Sequence, residues 1–270
     1  MAYAYRHLIP QNIAPSGAKS IAVYRGTKKV HEIPLGGLTP PKKEPLYSFG
    51  AVSDIHISHY ASVAWKPEAK LDNALTCFET KNCAFCVAAG DLTNTGFYLR
   101  TSENVEGTEY LDERQMTKYK NICDGHTIPV YELAGNHESW YDQDLAKSLD
   151  KWETYTGKNV TAYTVTQGND LFILLGQSTL SAPMSDDDFT WFTETLQANT
   201  DKRCFVFVHS YIEEDSGDAG DFRENSIFQY WGATKRNNFL NLLKQYPNVI
   251  LFHGHSHIKF EWQTLDKDAN

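Results

Sequence analysis

Phe85-Cys-Val-Ala-Ala-Gly-Asp91 is the stretch on which the fold turns. Five apolar residues without alternation read as a strand buried on both faces, and the glycine and aspartate that close the run read as a tight turn at its carboxyl end. The pattern recurs along the chain. Tyr47–Ser53, Pro129–Ala134, Leu171–Leu175, Cys204–Val208 and Val249–Phe252 are comparable runs, with amphipathic stretches between them. Glu68–Thr80 places Leu71, Ala74, Leu75 and Phe78 on one helical face, and Ser185-Asp-Asp-Asp188 caps a helix that presents Phe189, Phe192 and Leu196. Strands alternating with helices in this way predict an α/β fold, α+β by some schemes, built on buried and largely parallel strands.

The first 45 residues have a different texture. Ile21-Ala-Val-Tyr24 and Val30-His-Glu-Ile33 flank Arg25-Gly-Thr-Lys-Lys29, which predicts a β-hairpin. Thr39-Pro-Pro-Lys-Lys-Glu-Pro45 then reads as a stiff, exposed linker. The chain therefore divides into an extension over residues 1–45 and a main domain over residues 46–270.

Hydrophobic residues at 41% and charged residues at 22% exclude disordered, collagen-like and coiled-coil classes. The apolar runs, Leu171–Leu175 among them, fall well short of the roughly 20 residues that cross a bilayer, and the first 30 residues lack a signal-peptide core. A soluble, cytoplasmic chain without a membrane partner is the expectation. The net charge of -9 repels polyanions and argues against a nucleic-acid partner. Cys77, Cys83, Cys86, Cys123 and Cys204 are odd in number and spread through apolar segments, as buried thiols in a reducing compartment would be. Cys83-x-x-Cys86 has the spacing of half a zinc site, but the missing second pair argues against one, since structural zinc takes four ligands.

Metal-competent residues follow the strand-like runs in five places: Asp54-Ile-His56, Gly90-Asp91, Gly135-Asn-His-Glu138, His209 and Gly254-His-Ser-His257. Taken singly, each has an ordinary structural reading as a turn residue, a helix cap or a satisfied core histidine. Taken together they point elsewhere, because the carboxyl ends of parallel strands converge on one edge of a sheet. Carboxylate, amide and imidazole donors would then share a pocket, with glycine beside three of the blocks to let the backbone turn.

This ordered set, D-x-H, G-D, G-N-H-[DE], H and G-H-x-H, resembles the calcineurin-like metallophosphoesterases and covers Asp54 to His257, roughly three quarters of the chain. The resemblance implies a four-layer αββα sandwich as the catalytic domain, with a dinuclear metal centre. Carried over by position, it implies one metal held by Asp54, His56, Asp91 and His257. A second is held by Asn136, His209 and His255, with Asp91 bridging the two. Mixed imidazole and oxygen donors suit two divalent ions such as Mn, Fe or Zn more than Ca or Mg. The implied chemistry is attack on phosphorus by a hydroxide bridging the metals, with His137 as general acid or phosphate contact.

Asn94 stands where the family's protein phosphatases carry an aspartate that orients the acid histidine, and it removes a negative charge from that position. No arginine stands in the five blocks, another departure from the protein phosphatases, and Gly90-Asp-Leu-Thr-Asn94 lacks the tyrosine of purple acid phosphatases. The set looks more like the class III cyclic-nucleotide-phosphodiesterase and general phosphoesterase branch. Asn94, Asn136 and His137 are thus expected at the substrate, a small-molecule phosphodiester or phosphomonoester, nucleotides among them. The acidic run Tyr211–Asp221 reads either as a lid or as a solvated loop, with Phe222, Phe228, Tyr230 and Trp231 following it. Tyr60, Trp65, Phe97, Tyr98, Trp140 and Tyr141 are candidates for an aromatic pocket wall. The sequence continues for only 13 residues past His257, so an open sheet edge or an edge covered by the hairpin is expected, and the oligomeric state stays open. The competing functional classes are a nuclease of the same family and a catalytically inactive metal-binding scaffold.

Overall fold

The structure, a computed structural model, describes residues 20–25, 28–34, 46–58, 66–95, 113–139, 149–177, 184–210, 228–255 and 257. The chain forms two compact units, Met1–Leu46 with Glu261–Asn270, and Tyr47–Phe260. In the first, β1 (Ser20–Arg25) and β2 (Lys28–Pro34) pair antiparallel, with a shift in register between Val23 and Tyr24. This is the hairpin that the flanking apolar runs predict.

The second unit is mixed α/β. One sheet holds β3 (Gly50–Val52), β4 (Cys86–Ala89) and β5 (Val130–Leu133), all parallel in that order. The other holds β6 (Ala162–Gln167), β7 (Asp170–Leu175), β8 (Arg203–Val208) and β9 (Val249–His253). Strands β7, β8 and β9 run parallel, and β6 pairs antiparallel with β7.

The twofold alternation of side chains along a strand sorts these sheets into layers. Phe85, just before β4, and Val87 and Ala89 of β4 meet Phe172 and Leu174 of β7 and Phe205 and Phe207 of β8 in one apolar cluster between the sheets. Phe49 lies within this layer, its ring centroid 5.0 Å from that of Phe172 and 5.7 Å from that of Phe85. The alternate residues Cys86 and Ala88 turn outward onto α1 (Pro67–Thr80), α2 (Arg114–Asp124) and α4 (Leu149–Thr156), burying Leu71, Leu75, Met116, Tyr119 and Trp152. On the other flank Ile173, Cys204 and Val206 pack under Phe192 and Leu196 of α5 (Asp186–Ala198) and Phe239 and Leu240 of α6 (Phe228–Lys244). Helix, sheet, sheet and helix make the four layers of the expected sandwich. A one-turn helix, α3 (Asn136–Ser139), follows β5.

Ser185 caps α5 as its sequence predicts: its hydroxyl accepts the Asp188 amide at 3.0 Å, and the Asp188 carboxylate closes the capping box. Three features depart from the sequence reading. Strand β6 has no counterpart among the apolar runs, because Ala-Tyr-Thr-Val-Thr-Gln alternates and leaves Thr164 and Thr166 exposed on an edge strand. Helix α2 is mostly polar and buries little beyond Gln115, Met116 and Tyr119. Cys77 is exposed on α1, so the thiols are not uniformly buried, and all five are free. Among the described residues no helix is long and apolar enough to cross a membrane. The linker Thr39–Pro45, the run Tyr211–Asp221, Phe222, and the aromatics Tyr60, Trp65, Phe97, Tyr98, Trp140 and Tyr141 lie outside the described residues, as do the side chains of Phe228, Tyr230 and Trp231.

One polar cluster ties the outer helices together. His126, just past α2, places Nδ1 3.0 Å from Glu79 Oε2 and Nε2 3.1 Å from Asp72 Oδ1 on α1, and Glu79 also accepts the amides of Thr127 and Ile128. The bond from His126, with those from Thr127, holds the Glu79 carboxyl down at about 2, and the Glu79 bond raises His126 above its ordinary value despite desolvation. The raised histidine stabilises the fold below about pH 6.5 and loses that contribution as pH rises through its folded value. The lowered carboxyl stabilises above about pH 4.5 and loses its contribution as pH falls toward 2. His126→Asn is therefore expected to lower the melting temperature most between about pH 4.5 and 6.5, with a smaller deficit at pH 9. Thermal denaturation of both proteins across that range checks it.

Candidate metal centre

Every candidate ligand stands just past the carboxyl end of a parallel strand. Asp54 and His56 follow β3, Asp91 follows β4, Asn136 and His137 follow β5, His209 follows β8, and His255 and His257 follow β9. The backbone there is unusual. Asp54 (φ 55°), His56 (54°), Asp91 (51°), His255 (68°) and His257 (49°) are five of the seven non-glycine residues with positive φ among the described residues. An L-residue in that region costs about 1–2 kcal/mol. The surrounding hydrogen bonds hold it there: Ile55 and His56 donate their amides to Asp91 O at 2.8 and 3.0 Å, and Asp54 donates to Gly90 O at 3.1 Å. The His255 amide in turn donates to both Asp54 carboxylate oxygens, each at 3.0 Å.

Two glycines permit the close approach of these loops. A Cβ on Gly135 would stand 2.2 Å from Asp91 Oδ1, and one on Gly254 would stand 1.9 Å from Ser53 Oγ and 2.8 Å from Asp54 Oδ2.

The side chains converge in two groups. Asp54, His56, Asp91 and His257 bring one donor atom each within 4.8 Å of one another, and Asp91, His209 and His255 form a second such group. Asp91, 1% exposed, belongs to both. Its two oxygens face different neighbours. Oδ1 accepts the backbone amide of His137 at 3.0 Å, whereas Oδ2 lies 3.1 Å from His209 Nε2 and 3.8 Å from the Nε2 atoms of His56 and His137. Asn136 Oδ1 stands 3.0 Å from His209 Nε2, so the amide joins the second group, and the Nε2 atoms of His56 and His257 are 3.1 Å apart. His209 Nδ1 is 3.0 Å from the Ala89 carbonyl; a carbonyl only accepts, so Nδ1 carries the proton and Nε2 faces the pocket.

The charges are organised for cations. Burial opposes ionisation of Asp91, but the charge and hydrogen bond of His209, with the nearby His137 and His56, outweigh it and hold the carboxyl below its usual range. Burial likewise works against Asp54, which the bond from His257 overrides. Desolvation pushes His56 down to about 4, leaving a neutral imidazole at pH 7 with a lone pair to offer. The site thus combines anionic oxygens with imidazole nitrogens at contact distances, which is a donor set for a divalent transition metal.

The sequence profile of the calcineurin-like phosphoesterases matches residues 47–259, most of the chain. The chain belongs to the calcineurin-like phosphoesterase family. As a family member it is a metal-dependent phosphoester hydrolase for which two divalent ions are implied, and the two donor groups that share Asp91 fit that pair. The fold is similar to that of a dimetal phosphatase from Danio rerio, with a TM-score of 0.55 at 15% identity, covering 79% of this chain and 82% of that one. No curated protein sequence matches this chain.

Around this phosphoesterase centre the structure adds what the motifs leave out. His137 Nδ1 lies 2.6 Å from the main-chain carbonyl of Asn94, so the backbone of Asn94, rather than a side-chain carboxylate, sets the tautomer and tilt of this ring. Glu138, 2% exposed, accepts the amide and hydroxyl of Thr93 at 3.0 Å each with Oε1 and the Gly135 amide at 2.8 Å with Oε2. It clamps the loop after β4 to the loop after β5. Its position in the fourth place of the G-N-H-E block was the available signal. Gln115 of α2 has no such signal, yet it is fully buried against Asn94 and Thr95.

Saturating Mn or Zn is expected to raise the melting temperature, by about 2.7 kcal/mol of stability at a hundredfold excess over Kd, with Asp91→Ala abolishing the shift. Gly135→Ala forces its methyl into the Asp91 carboxylate, costs about 1–3 kcal/mol and weakens that metal-dependent shift. Differential scanning calorimetry with and without metal checks both.

Proposed function

We propose that this chain hydrolyses small phosphodiesters or phosphomonoesters, nucleotides among them, with a preference for diesters, at a centre of two divalent metals. Asp54, His56, Asp91 and His257 would hold one ion, and Asn136, His209 and His255 the other, with Asp91 shared. The observation that carries this reading is the buried Asp91 carboxylate common to both donor groups, with Oδ1 fixed by the His137 amide and Oδ2 turned to the imidazoles. The diester preference rests on the pairing of Asp54-Ile-His56 with Gly135-Asn-His-Glu138, which resembles the cyclic-nucleotide-phosphodiesterase branch.

When bound, two such ions supply the positive charge that offsets the phosphoryl oxygens and make water a nucleophile at neutral pH. The chain's own residues do the rest. Asp91 and Asp54 fix the spacing and net charge of the cation sites. His209 is held by the Ala89 carbonyl so that Nε2 faces inward. His137 lies outside both donor groups; with Nδ1 committed to the Asn94 carbonyl, its Nε2 stands 3.8 Å from Asp91 Oδ2 and serves to hand a proton to the departing alkoxide or aryloxide. Asn94, whose carbonyl meets His137, and Asn136, beside His209, are assigned to the substrate's phosphoryl group.

The test is hydrolysis of bis-p-nitrophenyl phosphate and p-nitrophenyl phosphate with Mn, Zn or Fe added. The diester is expected to give the higher kcat/KM. Asp91→Ala is expected to lose about three orders of magnitude on both, and His137→Ala about two to four on kcat while keeping its metals. Wild-type activity in Asp91→Ala would end the dinuclear reading. Intact substrates under every metal would favour a binding scaffold instead.

A further inference from the structure

Gln115 is a buried amide on α2, fully inaccessible, and α2 contributes nothing to either donor group. Its Oε1 accepts the Asn94 amide at 2.9 Å and the Thr95 amide at 3.1 Å, and its Nε2 donates to Thr95 Oγ1 at 2.5 Å. The Thr95 N–H and the Asn94 C=O are the two ends of one planar peptide unit. The other end of that unit is the carbonyl that receives His137 Nδ1 at 2.6 Å. Gln115 and His137 therefore grip the same rigid plane from opposite sides.

We infer that Gln115 is a positioning residue for His137, acting through the Asn94–Thr95 peptide. This rests on the reading of His137 as proton donor given above. Two physical effects combine. Pinning the Thr95 N–H fixes the rotation of the plane, and with it the direction in which the Asn94 carbonyl points. A peptide whose N–H is already bonded also presents a more polarised carbonyl, so the bond to His137 is strengthened. The second contact of Oε1, to the Asn94 amide, restrains the peptide before it; that amide also reaches the Ile57 carbonyl at 3.0 Å, beside the bridge between Ile57 and Thr93. A glutamine suits this position because its two terminal atoms have opposite hydrogen-bond character. The oxygen takes two backbone amides while the nitrogen gives to a hydroxyl.

The consequence falls on one half of the reaction. A proton donor matters where the leaving group is a poor one, and matters little where the leaving group departs unaided. Loss of Gln115 is expected to cost more on a phenyl ester, whose phenolate has the high pKa of a tyrosine side chain, about 10, than on the matching p-nitrophenyl ester.

Gln115→Met keeps the volume and removes both polar ends, and Gln115→Glu keeps an oxygen for the two amides. Each is compared with wild type, His137→Ala and the double variant Gln115→Met/His137→Ala in single-substrate kinetics on phenyl and p-nitrophenyl phosphodiesters. Metal content and melting temperature are measured in parallel. The expected result is a fall in kcat at least tenfold larger on the phenyl ester than on the p-nitrophenyl ester for Gln115→Met, with KM little changed and the full metal complement retained. Partial recovery in Gln115→Glu is expected, and no further loss when Gln115→Met is added to His137→Ala. Equal loss on both esters, loss of metal, or additive effects in the double variant would show a merely structural amide and overturn the inference. If His137→Ala itself shows no leaving-group dependence, the proton-donor reading fails instead. A leaving-group dependence in His137→Ala that Gln115→Met lacks refutes only the role of Gln115.

Discussion

The constraint on which the rest depends is the buried Asp91 carboxylate, held at the meeting point of loops from both sheets. Its carbonyl receives the amides of Ile55 and His56, its Oδ1 receives that of His137, and its Oδ2 lies against His209. A carboxylate that is 1% exposed is expensive to leave without positive partners. The imidazoles around it answer part of that cost, and a pair of cations between the same donors would answer the rest. The layered core below keeps the geometry. The aromatic cluster led by Phe49, Phe85, Phe172, Phe205 and Phe207 fixes how the two sheets lie on each other, so the carboxyl ends of β3, β4 and β5 face those of β8 and β9.

Much of this was legible in the sequence for a simple reason. Strands buried on both faces leave uninterrupted apolar runs, and β4, β7 and β8 are found close to where those runs lie. Candidate ligands at strand ends then appear as polar residues just after an apolar run, so Asp54, Asp91, His209 and His255 could be placed past strand ends before any coordinates. The Ser185 cap was legible because a short-range hydrogen bond leaves a short-range motif.

What escaped notice is equally explicable. Strand β6 alternates like any half-solvated segment, and α2 carries too few apolar residues to announce itself as a core helix. The bond from His137 to the Asn94 carbonyl involves the main chain, which every residue possesses, so side-chain identity at position 94 pointed to a different arrangement from the one that forms. The grip of Gln115 on Asn94 and Thr95 joins residues 21 and 20 positions apart in sequence, with no periodic trace. Long-range polar contacts made by single residues are invisible to pattern.

The left-handed backbone at Asp54, His56, Asp91, His255 and His257 bears on any attempt to graft this centre elsewhere. A scaffold offering the same side chains from ordinary right-handed or extended positions would aim each Cα–Cβ bond along a different line, and the donors would miss one another. What has to be transplanted is the peptide path, with the glycines that let it fold so close. An engineer who copies only the ligand identities copies the smaller part.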